Sequence, residues 1–220
     1  MQKLMSDDVI QQLKEQLVKL DKPVQLLMFT EPDACGNCTA QRSLLEELSG
    51  LSDKLSLQVH RLDSGEAVHY RIDKAPATVV RGEEDYGIRF YGLTGGYEFA
   101  SLIEAIMLVS LGMPVVEPAI AGFAGMIKAP THIETVVTLS CPYCPVMVRL
   151  IHQMAFVNEN IRADMIISEP EKNFEGHQGF LDATMISSLV GAPQGKTFFI
   201  SGPPKMHELC MIALAELGVP

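Results

Sequence analysis

Four of the chain's five cysteines stand in two close pairs, Cys35-Gly-Asn-Cys38 and Cys141-Pro-Tyr-Cys144. Two thiols three positions apart suit disulfide exchange: one, as thiolate, attacks a substrate disulfide, and the other is near enough to release the mixed disulfide. A helix start adds to this. Its unpaired backbone N–H groups and the positive end of its dipole favour the first thiolate, while the second Cys falls about one turn further on. Cys35 and Cys141 are therefore the candidate nucleophiles, and Cys38 and Cys144 the resolving thiols. Pro142 suits a first helical turn because its φ is fixed and its missing N–H would be unpaired anyway, which marks the second pair as the more reactive candidate. Cys210 lies in an apolar run with Leu209, Met211, Ile212 and Leu214 and reads as a small core hydrophobe.

The elements that would hold these pairs occur twice, with Cys35 and Cys141 106 positions apart (141 − 35). Apolar runs, Pro23 to Thr30 and His132 to Ser140, suit buried strands and end near a Cys pair. After each pair comes helical periodicity, through Leu44, Leu45 and Leu48 in one case and Val146, Met147, Leu150, Ile151 and Met154 in the other. Strand, Cys-x-x-Cys, helix is the repeating unit. An amphipathic helix through Val9, Ile10, Leu13, Leu17 and Leu20 precedes the first copy.

The first half continues with a strand at Ser56–Leu62 and another opened by Pro76. Glycines 82, 87 and 92 punctuate two further short strands around Ile88-Arg-Phe-Tyr, and a helix is expected from Tyr97 to Leu111. Gly112-Met-Pro114 ends that helix, and Val115 to Pro130, rich in Ala, Gly and Pro, reads as a connector. The expected domains are residues 1–117, carrying Cys35 and Cys38, and 118–220, carrying Cys141 and Cys144.

Both Cys pairs, Arg71-Ile-Asp-Lys-Ala-Pro-Ala-Thr-Val-Val, Tyr91-Gly-Leu-Thr-Gly-Gly-Tyr-Glu-Phe and Cys141-Pro-Tyr-Cys-Pro give residues 1 to about 167 a resemblance to the protein disulfide oxidoreductases, built from two fused thioredoxin folds. The second pair is similar to that of glutaredoxins. The resemblance implies an α/β fold of tandem thioredoxin-like units, a redox activity carried by disulfides with no bound cofactor, and electrons from a separate thioredoxin-reductase-like flavoprotein. It also implies a cis-proline facing the first disulfide, and Pro76 stands at the required spacing from Cys35. In that role Pro76 would present its neighbour's backbone to a substrate peptide and shield the sulfurs from metal; a simple strand-opening proline is the plainer alternative.

The second half departs from this pattern. The same spacing calls for a proline near position 182, where the chain has Asp182. From about Ser168, and above all in Gly195-Lys-Thr-Phe-Phe-Ile-Ser-Gly-Pro-Pro-Lys-Met206, the sequence resembles the last strand and helix of the ferredoxin–NAD(P) reductase superfamily, with Ser201 at a position often occupied there by Cys. No Gly-x-Gly-x-x-Gly turn accompanies it, so autonomous nicotinamide binding is not expected. The favoured reading is an atypical second thioredoxin-like domain, in which Phe198, Phe199 and Ile200 add a strand and Met206, Leu209, Ile212, Ala213, Leu214 and Leu217 cover a sheet face. The other is a displaced cis-proline at Pro193.

Composition narrows the remaining classes. A net charge of −10 disfavours nucleic acid as the main partner. No apolar stretch reaches the roughly 18 residues of a membrane span and no signal peptide is evident, so a reducing cytoplasm is expected and a structural disulfide framework is not. A zinc site of four thiolates is the competing use of two Cys pairs, but zinc ribbons separate theirs by about 15–20 residues. Here Cys38 and Cys141 are 103 positions apart, and no metal is expected. Phe29 and Thr135, six positions before Cys35 and Cys141, leave no acid where thioredoxins often bury one; Glu31 and Glu134 are candidate proton acceptors but read more plainly as surface carboxylates. His132, His152 and His177 follow no ligand spacing. The leading function is thus a protein thiol–disulfide oxidoreductase acting on protein disulfides. A non-catalytic thioredoxin-fold binding module, or an electron-relay fragment of a larger NAD(P)H-dependent flavin reductase, are the alternatives.

Overall fold

A computed structural model of the chain describes residues 4–31, 35–167, 181–198, 200 and 204–219. The chain divides into two compact units, Met1–Glu169 and Pro170–Pro220.

In the first unit, α1 (Asp7–Leu17) starts at Ser6, whose side chain accepts the Val9 N–H, and buries Leu13 and Leu17. β1 (Val24–Thr30) leads to the first Cys pair. Leu26 and Met28 join one apolar cluster and Leu27 and Phe29 another, as the period-two alternation of a strand covered on both faces requires. α2 (Cys38–Ser49), β2 (Leu55–Arg61), α3 (Gly65–Tyr70), β3 (Ala77–Arg81), β4 (Ile88–Tyr91) and α4 (Glu98–Leu111) follow, with Gly112 in the left-handed region (φ 65°) closing α4. β1 runs parallel to β2 and antiparallel to β3, and β3 pairs antiparallel with β4. This is a complete βαβ–ββα repeat.

The second repeat has fewer strands among the described residues. α5 (Pro118–Met126) leads to β5 (Thr131–Val137), α6 (Cys144–Val157) and β6 (Ile161–Ile167), with β5 and β6 parallel. β6 then pairs in parallel with β4, giving a six-stranded sheet of order β2-β1-β3-β4-β6-β5. Gly87 allows that junction: at φ +75° a Cβ there would lie 2.6 Å from the Ile161 carbonyl oxygen, and its own carbonyl accepts the Ala163 N–H at 2.8 Å. The β4–β6 ladder joins strands that lie on either side of residues 117 and 118 in sequence, and the two compact units meet at 169/170.

Several local expectations need correction. Only one strand, β4, forms around Ile88 among the described residues; residues 83–86 turn instead. The stretch 115–130 is no plain connector but contains α5, opened by Pro118 in its first turn. The short α3, capped by the Ser64 side chain accepting the Ala67 N–H, is an addition to the expected elements.

In the second unit, α7 (Ala183–Val190) and α8 (Pro204–Glu216) surround a small core of Ile186, Ala213 and Leu214, against which Phe198, Ile200, Leu217 and Val219 pack. The expected strand at 198–200 is not present among the described residues: Phe198 and Ile200 serve as packing groups in coil. Met206 and Leu209 are half-buried and Ile212 is exposed, so they do not form the continuous covering face expected of them. Cys210 is buried within α8, and burial pushes its thiol up from its ordinary value. His177, Phe199, Ser201 and Gly202-Pro203 lie outside the described residues.

Candidate redox site

Each Cys pair is closed as a disulfide, with Cα–Cα separations of 5.4 Å for Cys35–Cys38 and 5.6 Å for Cys141–Cys144. Both helices begin at the second Cys of their pair, so Cys35 and Cys141 sit just ahead of α2 and α6, in line with the helix N-termini. Neither helix has a side-chain cap, so its first-turn N–H groups have no capping side chain to bond. At the second pair a sulfur is the acceptor: the Cys144 N–H donates to Cys141 Sγ at 3.2 Å. A hydrogen bond to a sulfur that becomes anionic favours the thiolate. Pro142 lies two residues ahead of α6, and it is Pro145 that occupies the first turn. Pro142 thus shapes the Cys-x-x-Cys loop rather than the helix.

The two pairs share a core but differ in exposure. Cys38 is buried and Cys35 half-buried, an order that suits an inner resolving thiol and an outer nucleophile; Cys141 and Cys144 are both half-buried. Cys38 belongs to the same apolar cluster as Leu45, Phe90, Leu102, Val148 and Met165, and Cys35 and Cys144 pack against it.

Pro76 immediately precedes β3, and the Ala75–Pro76 bond is the cis peptide among the described residues. Through the β1–β3 register (Phe29↔Ala77) it stands beside the end of the strand that leads to Cys35. Nothing comparable serves Cys141 among the described residues. Asp182 caps α7, accepting the Met185 N–H at 2.8 Å, and the Ala192–Pro193 bond is trans, so the displaced cis-proline at Pro193 is not found.

Three buried polar residues lie near the site: Gln41 and Glu98, which the sequence alone does not single out, and His152, which follows no ligand spacing. Gln41, one turn into α2, donates from Nε2 to Thr78 Oγ1 and Thr94 Oγ1, each at 3.0 Å, and its Oε1 accepts the Thr94 N–H at 2.9 Å. It occupies a position on the apolar stripe of Leu44, Leu45 and Leu48, and a Gln there is the available signal. Glu98, fully buried in the first turn of α4, accepts from Ser101 Oγ at 2.7 Å; burial raises its carboxyl above the ordinary carboxylate range, so it holds its proton more firmly. His152 on α6 is buried edge-on to Phe90, and desolvation drives its imidazole down to about 3, so that it is neutral.

Among the described residues His132, Glu134 and Asp164 are the group whose ligand atoms lie close enough together, within 4.8 Å, to hold a metal. Asp164 is already held by the Arg162 guanidinium, with Nε at 2.8 Å, and by His132 Nε2 at 2.7 Å. His132 is thereby a satisfied histidine and the cluster an ion-pair network, while Glu134 remains exposed as a surface carboxylate would.

The architecture has clear counterparts. Over 97% of its length the chain matches the protein disulfide oxidoreductase of Aeropyrum pernix K1, of which it covers 94%, with a TM-score of 0.72 at 23% identity. It matches the NTD_N/C domain of the alkylhydroperoxide reductase AhpF from Enterococcus faecalis (V583) over 95% of this chain and 99% of that one, with a TM-score of 0.69 and 23% identity. The fold is a tandem thioredoxin-like one. Among the described residues its second repeat follows β6 with α7 and α8, where the first repeat has β3, β4 and α4. In sequence the chain is 30% identical over 164 residues to the F component of the alkyl hydroperoxide reductase of Staphylococcus aureus (strain Mu50), a match covering 74% of this chain. It is 31% identical over 125 residues to an NADH dehydrogenase of Bacillus subtilis (strain 168), covering 56% of this chain. These matches span only 30% and 23% of those relatives' own lengths. No protein-family model matches the chain. Among the described residues no helix is long and apolar enough to cross a membrane.

Proposed function

We propose that the chain is a protein thiol–disulfide oxidoreductase of the glutaredoxin/thioredoxin-like type, acting through both Cys pairs. The observation that carries this is the Cys144 N–H aimed at Cys141 Sγ at the head of α6, on a scaffold that repeats the arrangement at Cys35. In the reducing direction the thiolate of Cys35 or Cys141 attacks one sulfur of a substrate disulfide. The substrate's other sulfur leaves as a thiolate and takes up a proton. The thiolate of Cys38 or Cys144 then attacks the mixed disulfide, so the substrate departs with two thiols and the enzyme keeps one disulfide. The two electrons that restore the dithiol come from an external reductase, and no bound cofactor is required. Pro76 lines the Cys35 site and shields its sulfurs.

Protein disulfides reduced in an insulin-type turbidity assay test this reading. Wild-type protein should accelerate the reaction with dithiothreitol as reductant, and the Cys35→Ser/Cys141→Ser double variant should not. Equal rates for the two would reject catalysis in favour of a binding module. Zinc retained by the purified, reduced protein would instead support a thiolate metal site.

A second reading draws on the relatives. The chain corresponds to under a third of the Staphylococcus aureus alkyl hydroperoxide reductase component and resembles an AhpF N-terminal domain. It would then relay electrons between an NAD(P)H-dependent flavoprotein and a disulfide acceptor, in the cytoplasm where such reductants are supplied. NADH oxidation by a thioredoxin-reductase-type flavoprotein, measured with and without this chain as acceptor, separates the two: stimulation supports the relay.

A further inference from the structure

One short segment, 92–97, runs from the surroundings of the first disulfide to those of the second. At its start the Gly92 N–H donates to the Pro76 carbonyl at 2.8 Å, beside the first disulfide. In its middle, Thr94 is tied to Gln41 both by its N–H and by its hydroxyl, and the same Gln41 amide reaches Thr78 on β3. Gln41, Thr78 and Thr94 are fully buried, so these bonds work in a medium where an unpaired amide costs on the order of 1–3 kcal/mol. At its end the Tyr97 N–H donates to the Leu139 carbonyl at 3.3 Å. Gly96 packs so tightly there that a Cβ would lie 2.6 Å from that same oxygen, at a φ of +54°. Leu139 is two residues before Cys141 and lies in the turn closed by the Cys141 N–H donating to the Thr138 carbonyl at 3.1 Å.

We infer that Gln41 is a positioning residue for both disulfides: through Thr94 and the 92–97 segment it sets the thiol–disulfide equilibrium of Cys141–Cys144 as well as that of its own neighbour Cys35–Cys38. Gln41 touches neither sulfur of the distant pair. Its influence travels through the buried Gln41–Thr94 hydrogen bonds, along the backbone of 94–97, and through the Tyr97–Leu139 hydrogen bond and the tight Gly96 contact at the segment's exposed end, a chain of contacts by which one packed site biases another. The exchange equilibrium is sensitive to such bias because it depends on where the helix N–H groups sit relative to the sulfurs, a matter of tenths of an ångström in a hydrogen bond.

This rests on the thiol–disulfide reading, and one experiment separates the two. The intact protein is equilibrated in graded glutathione buffers, and the redox state of each pair is read separately by differential alkylation and peptide mass spectrometry. Gln41→Leu keeps the side chain's bulk and removes its polar atoms. It should shift the equilibrium constant of both pairs by about threefold or more, which at about 30 mV per tenfold corresponds to about 14 mV. Thr94→Val should shift both in the same sense, and Thr94→Ser, which keeps the hydroxyl, should return both to the wild-type values. A shift confined to Cys35–Cys38 in Gln41→Leu and Thr94→Val overturns the inference while leaving the redox reading intact. Should Gln41→Leu not fold, the Thr94 pair of variants decides alone. Wild-type pairs that do not respond to glutathione at all would overturn both.

Discussion

The strands that deliver the two Cys pairs, β1 and β5, have the same place in the two repeats and unlike surroundings. β1 has a neighbour on each edge and apolar cover on each face, so that Phe29, one residue before its end, is fully buried. β5 has one sheet neighbour among the described residues, exposes alternate side chains, and leaves Val136 63% exposed at the equivalent stage. The helices differ as well. Eight residues after the second Cys, α2 carries Glu46, which pairs with Arg42 at the surface, whereas α6 carries the buried, neutral His152. A Cys-x-x-Cys segment therefore needs only its local strand and helix to form. The depth at which it is held depends on which strands arrive later in the chain.

Four measurements bear on this contrast. The largest effect should come from the nucleophiles: in the insulin assay, removing both as Cys35→Ser/Cys141→Ser should cost on the order of 10³-fold or more. Cys141→Ser alone should cost more than Cys35→Ser; the reverse order would make the buried first site the working one. Next, Phe29→Ala should lower unfolding stability by about 3–5 kcal/mol in urea titration, the range for deleting a buried aromatic side chain. A loss below about 1 kcal/mol would mean that β1 is not the rigid member of the two. Acid should strain the second half more. His152 is neutral when folded but takes a proton near its ordinary value of about 6.5 when unfolded, so stability is intact above that pH and falls as pH drops toward about 3. Asp164 is the charge acting on it, and it opposes the shift. Between about pH 6 and about pH 4, wild type should lose about 1 kcal/mol per pH unit more than His152→Gln; parallel curves would remove His152 from the account. The smallest effect is Val136→Ala, within about 0.5 kcal/mol of wild type, as for an exposed side chain.

What can be read from the residues is what is local. Strand, Cys pair and helix repeat within some thirty positions, and the apolar alternation of β1 and the periodicity of α2, α4 and α6 are visible because each belongs to one element. Pro76 stands out through the family resemblance, whose cis-proline it matches in its distance from Cys35. The 92–97 segment does not, since Gln41 meets Thr78 and Thr94 across 37 and 53 positions, and nothing in a linear reading brings them together. α5 is hidden because Gly122 and Gly125 weaken a helix by propensity while Pro118 starts it. Position 182 misleads for the opposite reason. A family spacing calls for proline there, and the Asp side chain instead starts a helix of the second unit.

The joining of β4 to β6 turns two repeats into one hydrogen-bonded ladder, so the amides along that seam record whether the halves ever part. If they separate before the molecule unfolds, hydrogen exchange at 88–91 and 161–167 should run faster than at β1. If they do not, the three strands should exchange together, at the rate of global opening, and a cut between 112 and 118 would leave the two pieces associated.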